Sequence, residues 1–242
     1  MGTEISGSTT VKKTKKFGKL HCCICGKEVG MMGRVQLGDM EEVCRACAKL
    51  AGPFFLPQEG TKEMYTEHMK NMDTYNRLYE AYFKKNREAK KFGMGDGKIY
   101  VNKEAALICF TKKRGGFLMF GGTVYPMVYR LADIEAYDSI HKTMKDSDGK
   151  EVEATYMSFA FHNAAGVNTI EMKSGGSSDE KLCKYIEKSM GLTGLRGMIN
   201  RFHSRKDAAN VEASYDEADA VFYKGREVLI EKADNAIASV IK

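Results

Sequence analysis

Two pairs of cysteines near the N-terminus place the strongest constraint on how this chain can fold. Each pair has the form Cys-x-x-Cys, and eighteen residues separate the two pairs. A turn of this form points two thiolates inwards, and two such turns complete a tetrahedron around a metal ion. The sequence therefore predicts a metal site whose ligands are Cys22, Cys25, Cys44 and Cys47.

The four thiolates restrict the identity of the metal. Soft sulfur ligands favour zinc or an iron–sulfur centre among the common metals, and the sequence predicts zinc, with iron–sulfur as the alternative. Cys23 would serve in place of Cys22, but only Cys22 gives the two-residue spacer. His21 either hydrogen-bonds near the ligands or lies exposed. A closed four-cysteine site leaves no position for water, so we expect a structural metal and not a catalytic one.

The residues around the cysteines predict a small module over residues 20–57. Gly26 suits a tight turn behind the first pair of sulfurs, and the glycine-rich stretch between the pairs indicates a hairpin. The second pair opens a helix that Gly52-Pro53 ends. A knuckle, a hairpin and a helix that carries the last two ligands are typical of a treble clef. A zinc ribbon made only of strands fits less well.

The spacing of apolar residues changes along the rest of the chain, and these changes mark its predicted segments. Residues 1–19 are rich in Gly, Ser, Thr and Lys and predict a disordered basic arm. Apolar residues at three- and four-residue intervals predict an amphipathic linking helix over residues 58–92. The glycines at 93–97 indicate a break, after which residues 97–191 predict an antiparallel β-domain and residues 192–242 a helical segment. The predicted fold class is α+β.

Two parts of the chain resemble known families. Cys22–Gly30 and Glu42–Leu50 are similar to a small bacterial four-cysteine zinc-binding domain of unknown function. In such proteins this module often precedes a pleckstrin-homology-like (PH-like) domain, which the second half of the chain resembles. Lys98–Asn102 matches a first strand, Tyr129–Asp138 matches a strand, short turn and strand, and a helix after Lys173 closes the domain. The resemblance implies this architecture and no established activity.

The basic residues are candidates for contact with anions. The net charge of +6 permits binding to nucleic acid or an anionic surface without requiring it. The candidate contacts lie in the arm and in a predicted turn, and they are Lys12, Lys13, Lys15, Lys16, Lys112, Lys113 and Arg114. Many PH domains bind phosphoinositides at such a turn, but bacterial PH-like domains commonly lack that ligand. No apolar run is long enough to span a membrane, and peripheral membrane contact is not expected.

Recognisable catalytic motifs are missing from the sequence. The histidines are scattered, and neither a nucleophile elbow nor a His-Glu-x-x-His motif occurs. Cys109 lies in an apolar strand and Cys183 on a helix face, so both are predicted to be packed thiols. The chain is therefore not predicted to be an enzyme.

The leading functional hypothesis is an adaptor or regulatory protein that recognises a protein partner. Its motivating features are the closed cysteine site, a β-domain without catalytic motifs, and helices rich in Met and Tyr. The alternative is a nucleic-acid-binding protein that uses the zinc module and the basic arm. Paired thiols and the lack of an N-terminal secretory signal predict a cytoplasmic location.

Overall fold

The protein combines helices with antiparallel sheets, as the sequence predicts. A computed structural model describes residues 20–115, 122–145, 149–162, 167–191 and 215–241. The predicted basic arm, which contains Lys12, Lys13, Lys15 and Lys16, lies outside the described residues, as do residues 192–214 of the predicted helical segment.

Four short strands and one short helix surround the cysteines. β1 (Leu20–His21) pairs with β2 (Glu28–Val29), and β3 (Arg34–Gln36) pairs with β4 (Glu42–Cys44). α1 (Arg45–Leu50) follows β4 directly, so the predicted hairpin and helix are both present. Besides two of the cysteines, the apolar core of this module contains Val29, Leu37, Val43, Ala51 and Phe55, together with Tyr65 from the helix that follows.

One long helix, α2 (Lys62–Tyr82), contacts both the cysteine module and the larger sheets. It begins where the side chain of Thr61 accepts a hydrogen bond from the N–H of Met64. Asp39, from the turn between β3 and β4, accepts a second hydrogen bond from the N–H of Lys62 at 2.7 Å. The start of α2 is thereby fixed to the cysteine module.

The linking helix is shorter than the predicted range of residues 58–92. It ends at Tyr82, and residues Ala89–Met94 form a strand, β5. The reason is packing, because Phe92 and Met94 are buried two residues apart while the residues beside them are exposed. Alternation of this kind suits a strand with one buried face. The glycine-rich stretch that follows makes the turn between two paired strands.

Two antiparallel sheets form the larger part of the described structure. The first has the order β5, β6 (Gly97–Asn102), β7 (Leu107–Arg114) and β8 (Thr123–Arg130). The second has the order β11 (Thr169–Lys173), β10 (Glu151–Phe161) and β9 (Ile134–Lys145). A short 3-10 helix, Leu131–Asp133, joins β8 to β9. This is the strand, turn and strand that the sequence predicts around residues 129–138.

Aromatic rings fill the space between the two sheets. Phe110 of β7 is fully buried, and its ring centroid lies 5.0 Å from that of Phe159 of β10. The rings of Tyr129 and Phe161 stack with their centroids 3.9 Å apart. Cys109 is buried in β7, as predicted for a packed thiol. The main core therefore lies between residues of β7, β8 and β10.

Two further helices lie among the described residues, α3 (Ser177–Ser189) and α4 (Tyr215–Ile241). α3 buries Leu182 and Ile186. Gly176 occupies the N-terminal cap position of α3 with φ of 64°, and no side-chain hydrogen bond caps the helix there. No helix in the described ranges is both long and apolar enough to cross a membrane.

Candidate metal centre

The first cysteine pair occupies the turn between β1 and β2. The N–H of Gly26 donates to the carbonyl oxygen of Cys22 at 2.8 Å, and the N–H of Cys22 donates to that of Lys27 at 2.8 Å. Gly26 has φ of 71°, a conformation that residues with a Cβ rarely adopt. The turn therefore needs glycine behind the two sulfurs, as the sequence analysis predicts.

The second cysteine pair lies where β4 passes into α1. Cys44 is the last residue of β4 and the cap of the helix, and its Sγ accepts from the N–H of Cys47 at 3.4 Å. The N–H of Cys23 donates to the carbonyl of Glu42 at 2.9 Å, which fixes the first turn against β4. Backbone hydrogen bonds thus bring the two pairs together.

The four predicted cysteines form one compact cluster. The Sγ atoms of Cys22, Cys25, Cys44 and Cys47 all lie within 4.8 Å of one another. Cys22 and Cys47 are buried, whereas Cys25 is exposed. A metal ion at the centre would therefore be shielded on one side and close to solvent on the other.

The thiols of the cluster differ in their acidity. Burial alone would raise the pKa of Cys22, but backbone hydrogen bonds, chiefly from Cys25 and Cys44, lower it to about 6. Burial, with the neighbouring thiols, raises the pKa of Cys47 instead. Because a metal ligand must be a thiolate, a bound divalent cation would release the proton that Cys47 otherwise keeps.

Two side chains of α2 hold the metal-binding helix α1 in place. The hydroxyl of Tyr65 donates to the carbonyl oxygen of Cys47, and Nε2 of His68 donates to that of Ala51 at 2.7 Å. Phe55 packs edge-on to Tyr65 and stacks with His68. In the sequence, His68 is one of several scattered histidines. Its position three residues after Tyr65, on the same face of a helix, was the available signal.

Replacing Tyr65 with phenylalanine should weaken metal binding without removing it. The substitution preserves the ring but removes the hydroxyl donor, so the carbonyl of Cys47 keeps only the N–H of Ala51 at 3.4 Å, which costs about 1–1.5 kcal/mol. We expect roughly a tenfold loss of metal affinity in a chelator competition assay. The half-buried Tyr82, whose hydroxyl bonds Ser239 away from the cysteines, is not expected to change that affinity when it is substituted in the same way. Equal affinities for the Tyr65→Phe variant and the original chain would contradict this role.

His68 should make the protein less stable as the pH falls. Burial lowers the pKa of His68 below its ordinary value of 6.5, so the unfolded chain binds the proton more readily than the folded one. The stability is complete above about pH 6.5 and declines below it by up to about 1.4 kcal/mol per unit, until the folded pKa is reached.

Urea unfolding at pH 7.5, 6.5 and 5.5 would measure this decline. Metal loss also destabilises the chain in acid, so the comparison uses His68→Gln, in which the side-chain amide replaces the donor to Ala51. The original chain should lose more stability than the variant between pH 6.5 and 5.5. Parallel curves for the two proteins would contradict the prediction.

The other candidate residues near the cysteines stay outside the cluster. Cys23 is partly buried, and burial followed by the charge of Cys22 raises its pKa. His21 is exposed, and its Nδ1 donates to the carbonyl of Gly26 at 3.1 Å. Cys22 is therefore the one of the two adjacent cysteines that joins the cluster.

The predicted basic turn at residues 112–114 is part of a strand. Lys112, Lys113 and Arg114 lie in β7, where they pair with residues of β8, so the expected turn position is wrong. Nζ of Lys112 lies 2.8 Å from a carboxylate oxygen of Asp96 and donates to the carbonyl of Glu171 at 3.0 Å. Lys113 and Arg114 are exposed.

Comparison with known proteins identifies the cysteine module alone. Residues 21–72 match a family model described as a domain of unknown function, DUF4428. No curated protein and no solved structure matches the chain. The matched segment runs past the predicted module boundary at residue 57 to Met72 of α2, and so includes Tyr65 and His68. We conclude that residues 21–72 form a DUF4428 domain with four cysteines positioned to bind a metal ion.

Proposed function

We propose that the metal is a structural zinc ion and that the domain around it is treble-clef-like. The Sγ atoms of Cys25 and Cys44 lie 3.8 Å apart. A tetrahedron with Zn–S bonds of about 2.3 Å has edges of about 3.8 Å, so this spacing suits a single ion. An iron–sulfur cluster places several iron and sulfide ions between its cysteines and requires wider separations. A knuckle, a hairpin and a helix with two ligands support the treble-clef assignment.

We further propose that residues 89–191 form a PH-like domain. The support is the order of its elements: four antiparallel strands, then three, packed face to face around aromatic side chains and followed by α3. This order agrees with the architecture that the sequence resemblance implies. PH-like folds carry many different functions, so the assignment supplies a scaffold and no activity.

The function that these features support best is that of a non-catalytic adaptor that binds a protein partner. The observation that carries the proposal is the position of the exposed apolar side chains. Six of the nine large exposed hydrophobic residues among the described ones belong to the DUF4428 domain. These six are Met31, Met32, Met40, Leu50, Leu56 and Met64. Methionine is flexible and polarizable, and exposed methionines are characteristic of adaptable binding surfaces.

Replacing Met31 and Met32 together with serine should reduce capture of the partner. These are the two most exposed of the large hydrophobic side chains described, at 69% and 87%, so the substitution removes contact area without disturbing the core. Loss of one or two apolar anchors of an interface typically costs about 1–2 kcal/mol, or roughly tenfold in affinity. The measurement is quantitative mass spectrometry of proteins that co-purify with the tagged full chain.

The matched control for this experiment is Val152→Ser. Val152 is exposed on β10, outside the DUF4428 domain, and the change removes an exposed apolar side chain from another surface. The proposal predicts that the same partner co-purifies with the original chain and the Val152 variant, and is depleted with the double methionine variant. Equal recovery of the partner with all three proteins would refute the methionine surface as its binding site.

Nucleic-acid binding is the second candidate function, and the sequence supports it better than the described structure does. Of the seven predicted basic contacts, Lys113 and Arg114 are described and exposed, while Lys112 is already paired with Asp96. A steep fall of affinity with salt would favour this candidate.

We propose a cytoplasmic location and a bacterial source on the sequence features and the family resemblance given above.

A further inference from the structure

The strand β9 leaves a row of backbone groups unpaired along one edge of the second sheet. It pairs with β10 on one side, and no described strand lies along its other side. In an antiparallel ladder, alternate residues direct their N–H and C=O groups away from the neighbouring strand. β9 is 12 residues long, so it presents a line of donors and acceptors along this edge.

The other edges of the two sheets are in contact with further elements. α3 contacts β5, and both α2 and α4 contact β8. At β11, the carbonyl oxygen of Lys173 accepts from the N–H of Gly95 at 2.8 Å. β9 has neither a proline nor a break in its register with β10 between Ala136 and Lys145. A regular, open edge of this kind is a template for a further strand.

The charges along β9 complement those of a second β9 strand. When a two-fold axis relates two antiparallel strands, residues at equal distances on either side of the central residue lie opposite each other. With Ile140 at the centre, Asp138 of each copy lies opposite Lys142 of the other. The same register sets Glu135 opposite position 145, which is a lysine in the sequence. Opposite charges at directly facing positions stabilise an antiparallel pair.

Neighbouring registers lack this complementarity. A centre at Asp138 or Lys142 sets like charges directly opposite each other, which destabilises the pair. A centre at Ser139 or His141 sets a charged residue opposite Ile140. The charges therefore favour the register in which the half-buried Ile140 meets its own copy. An apolar centre with charged residues around it is the usual arrangement of a protein interface.

The ion pair that Lys142 makes within one chain does not block this register. Its Nζ donates to both carboxylate oxygens of Glu171 in β11, at 2.7 and 2.6 Å. The two side chains are 42% and 34% exposed, and an exposed ion pair contributes little to stability. Lys142 can therefore turn to the exposed Asp138 of a second copy at small cost, while new backbone hydrogen bonds stabilise the dimer.

We propose that β9 is a dimerisation strand, along which a second copy of this chain pairs in antiparallel fashion about Ile140. The two three-stranded sheets then form one continuous sheet, in which β9 of one copy lies beside β9 of the other. Residues 137–143 of both copies make the central part of the contact. The interface belongs to the β-domain and leaves the DUF4428 domain of each copy free to bind a partner.

Analytical ultracentrifugation of the full chain at increasing concentration tests the proposal. The original chain should pass from monomer to dimer. The two-fold axis makes Asp138→Lys replace two opposite-charge pairs by two like-charge pairs, so the dissociation constant of the dimer should rise roughly tenfold or more. The matched control is Glu153→Lys, which makes the same change of charge at an exposed position of β10. It should dimerise as the original chain does.

A mixture of two variants tests the register. The second chain carries Lys142→Asp together with Glu171→Lys, which keeps the ion pair between β9 and β11 in reverse. By itself it should be monomeric, because acidic residues then face each other. Mixed with the Asp138→Lys chain, it should form a heterodimer in which each lysine faces an aspartate. Amide hydrogen exchange of residues 137–143 should slow as either dimer forms.

Several results would overturn the proposal. One is an original chain that stays monomeric at every concentration. Another is an Asp138→Lys dimer as stable as that of the original chain, which would place the contact on a different surface. Slow exchange of residues 137–143 in the monomer would mean that another segment of the same chain covers the edge. Slow exchange only with a co-purified protein would assign the edge to a foreign strand. None of these readouts depends on Met31, Met32 or the metal, so the proposed adaptor surface is tested separately.

Discussion

A chain in which serine replaces Cys47 is expected to lose its metal and the ordered structure of residues 21–72. The cysteines join two turns that otherwise share only a few backbone hydrogen bonds and a small core. A domain of about 50 residues has a core that rarely stabilises it by more than a few kcal/mol, and natural domains of this size commonly add a metal or disulfides. Structural zinc contributes an apparent 10–16 kcal/mol to the folding of zinc-finger peptides at neutral pH, far more than any side chain of the module.

Hydrogen exchange and metal analysis of the same sample measure both losses. Amides of β1 to β4 and α1 should exchange within seconds in the Cys47→Ser variant, while those of β6 and β7 stay protected. Cys23→Ser is the matched control, because Cys23 lies outside the cluster, and it should keep both metal and protection. Protection of the module in a metal-free Cys47 variant would mean that the metal is not structural.

Replacing Phe110 with alanine is expected to make the β-domain less stable and to leave the metal site intact. Phe110 is fully buried, and its ring contacts those of Phe159, Phe161 and Tyr129 from both sheets. Truncation of a buried phenylalanine leaves a cavity and costs about 3–5 kcal/mol. We therefore expect a large fall in the free energy of unfolding of the β-domain, with unchanged metal content.

Urea unfolding monitored by far-UV circular dichroism, with metal analysis of the folded protein, tests this expectation. Val152→Ala serves as the control, since Val152 is exposed and its truncation should change the stability by about 0.5 kcal/mol or less. A Phe110→Ala variant that has lost its metal would show that the cysteine cluster depends on the β-domain core. A cost below 1 kcal/mol would contradict the packing between the two sheets.

The cysteine cluster was predictable because its chemistry is local. Spacing alone brought Cys22 and Cys25 together, and a short hairpin between the pairs sufficed to bring Cys44 and Cys47 to them. The strand, turn and strand around Leu131 were predictable for a similar reason, since the apolar pattern of neighbouring residues determines them. Such features require no knowledge of contacts between distant parts of the chain.

Features that depend on distant contacts were missed. The helix pattern of residues 58–92 continues past Tyr82 in the sequence, but pairing with β6 turns Ala89–Met94 into a strand. The sequence predicts a turn at Lys112, but this residue lies in β7 and its partner Asp96 lies on a neighbouring hairpin. Tyr65 and His68 share a face of α2 that the sequence indicates, but the carbonyl groups they bind, on Cys47 and Ala51, are 18 and 17 residues away.

The helix α2 connects the cysteine module with the β-domain. Its first turns bind α1 through Tyr65 and His68, and further along Tyr75 and Tyr79 pack against Tyr129 and Tyr100 of the β-domain. The segment that was predicted to be a linker is therefore part of both cores. Loss of the metal should therefore loosen the first half of α2, while the part of α2 that packs on the β-domain stays ordered.

Metal analysis of the purified full chain and of its Cys44→Ser variant tests the central claim most directly. Inductively coupled plasma mass spectrometry should find about one zinc ion per chain in the original protein, in agreement with four cysteine ligands around one ion. The Cys44→Ser variant should contain little or none. Iron in place of zinc, or zinc that remains undiminished after the substitution, would contradict the assignment of the site.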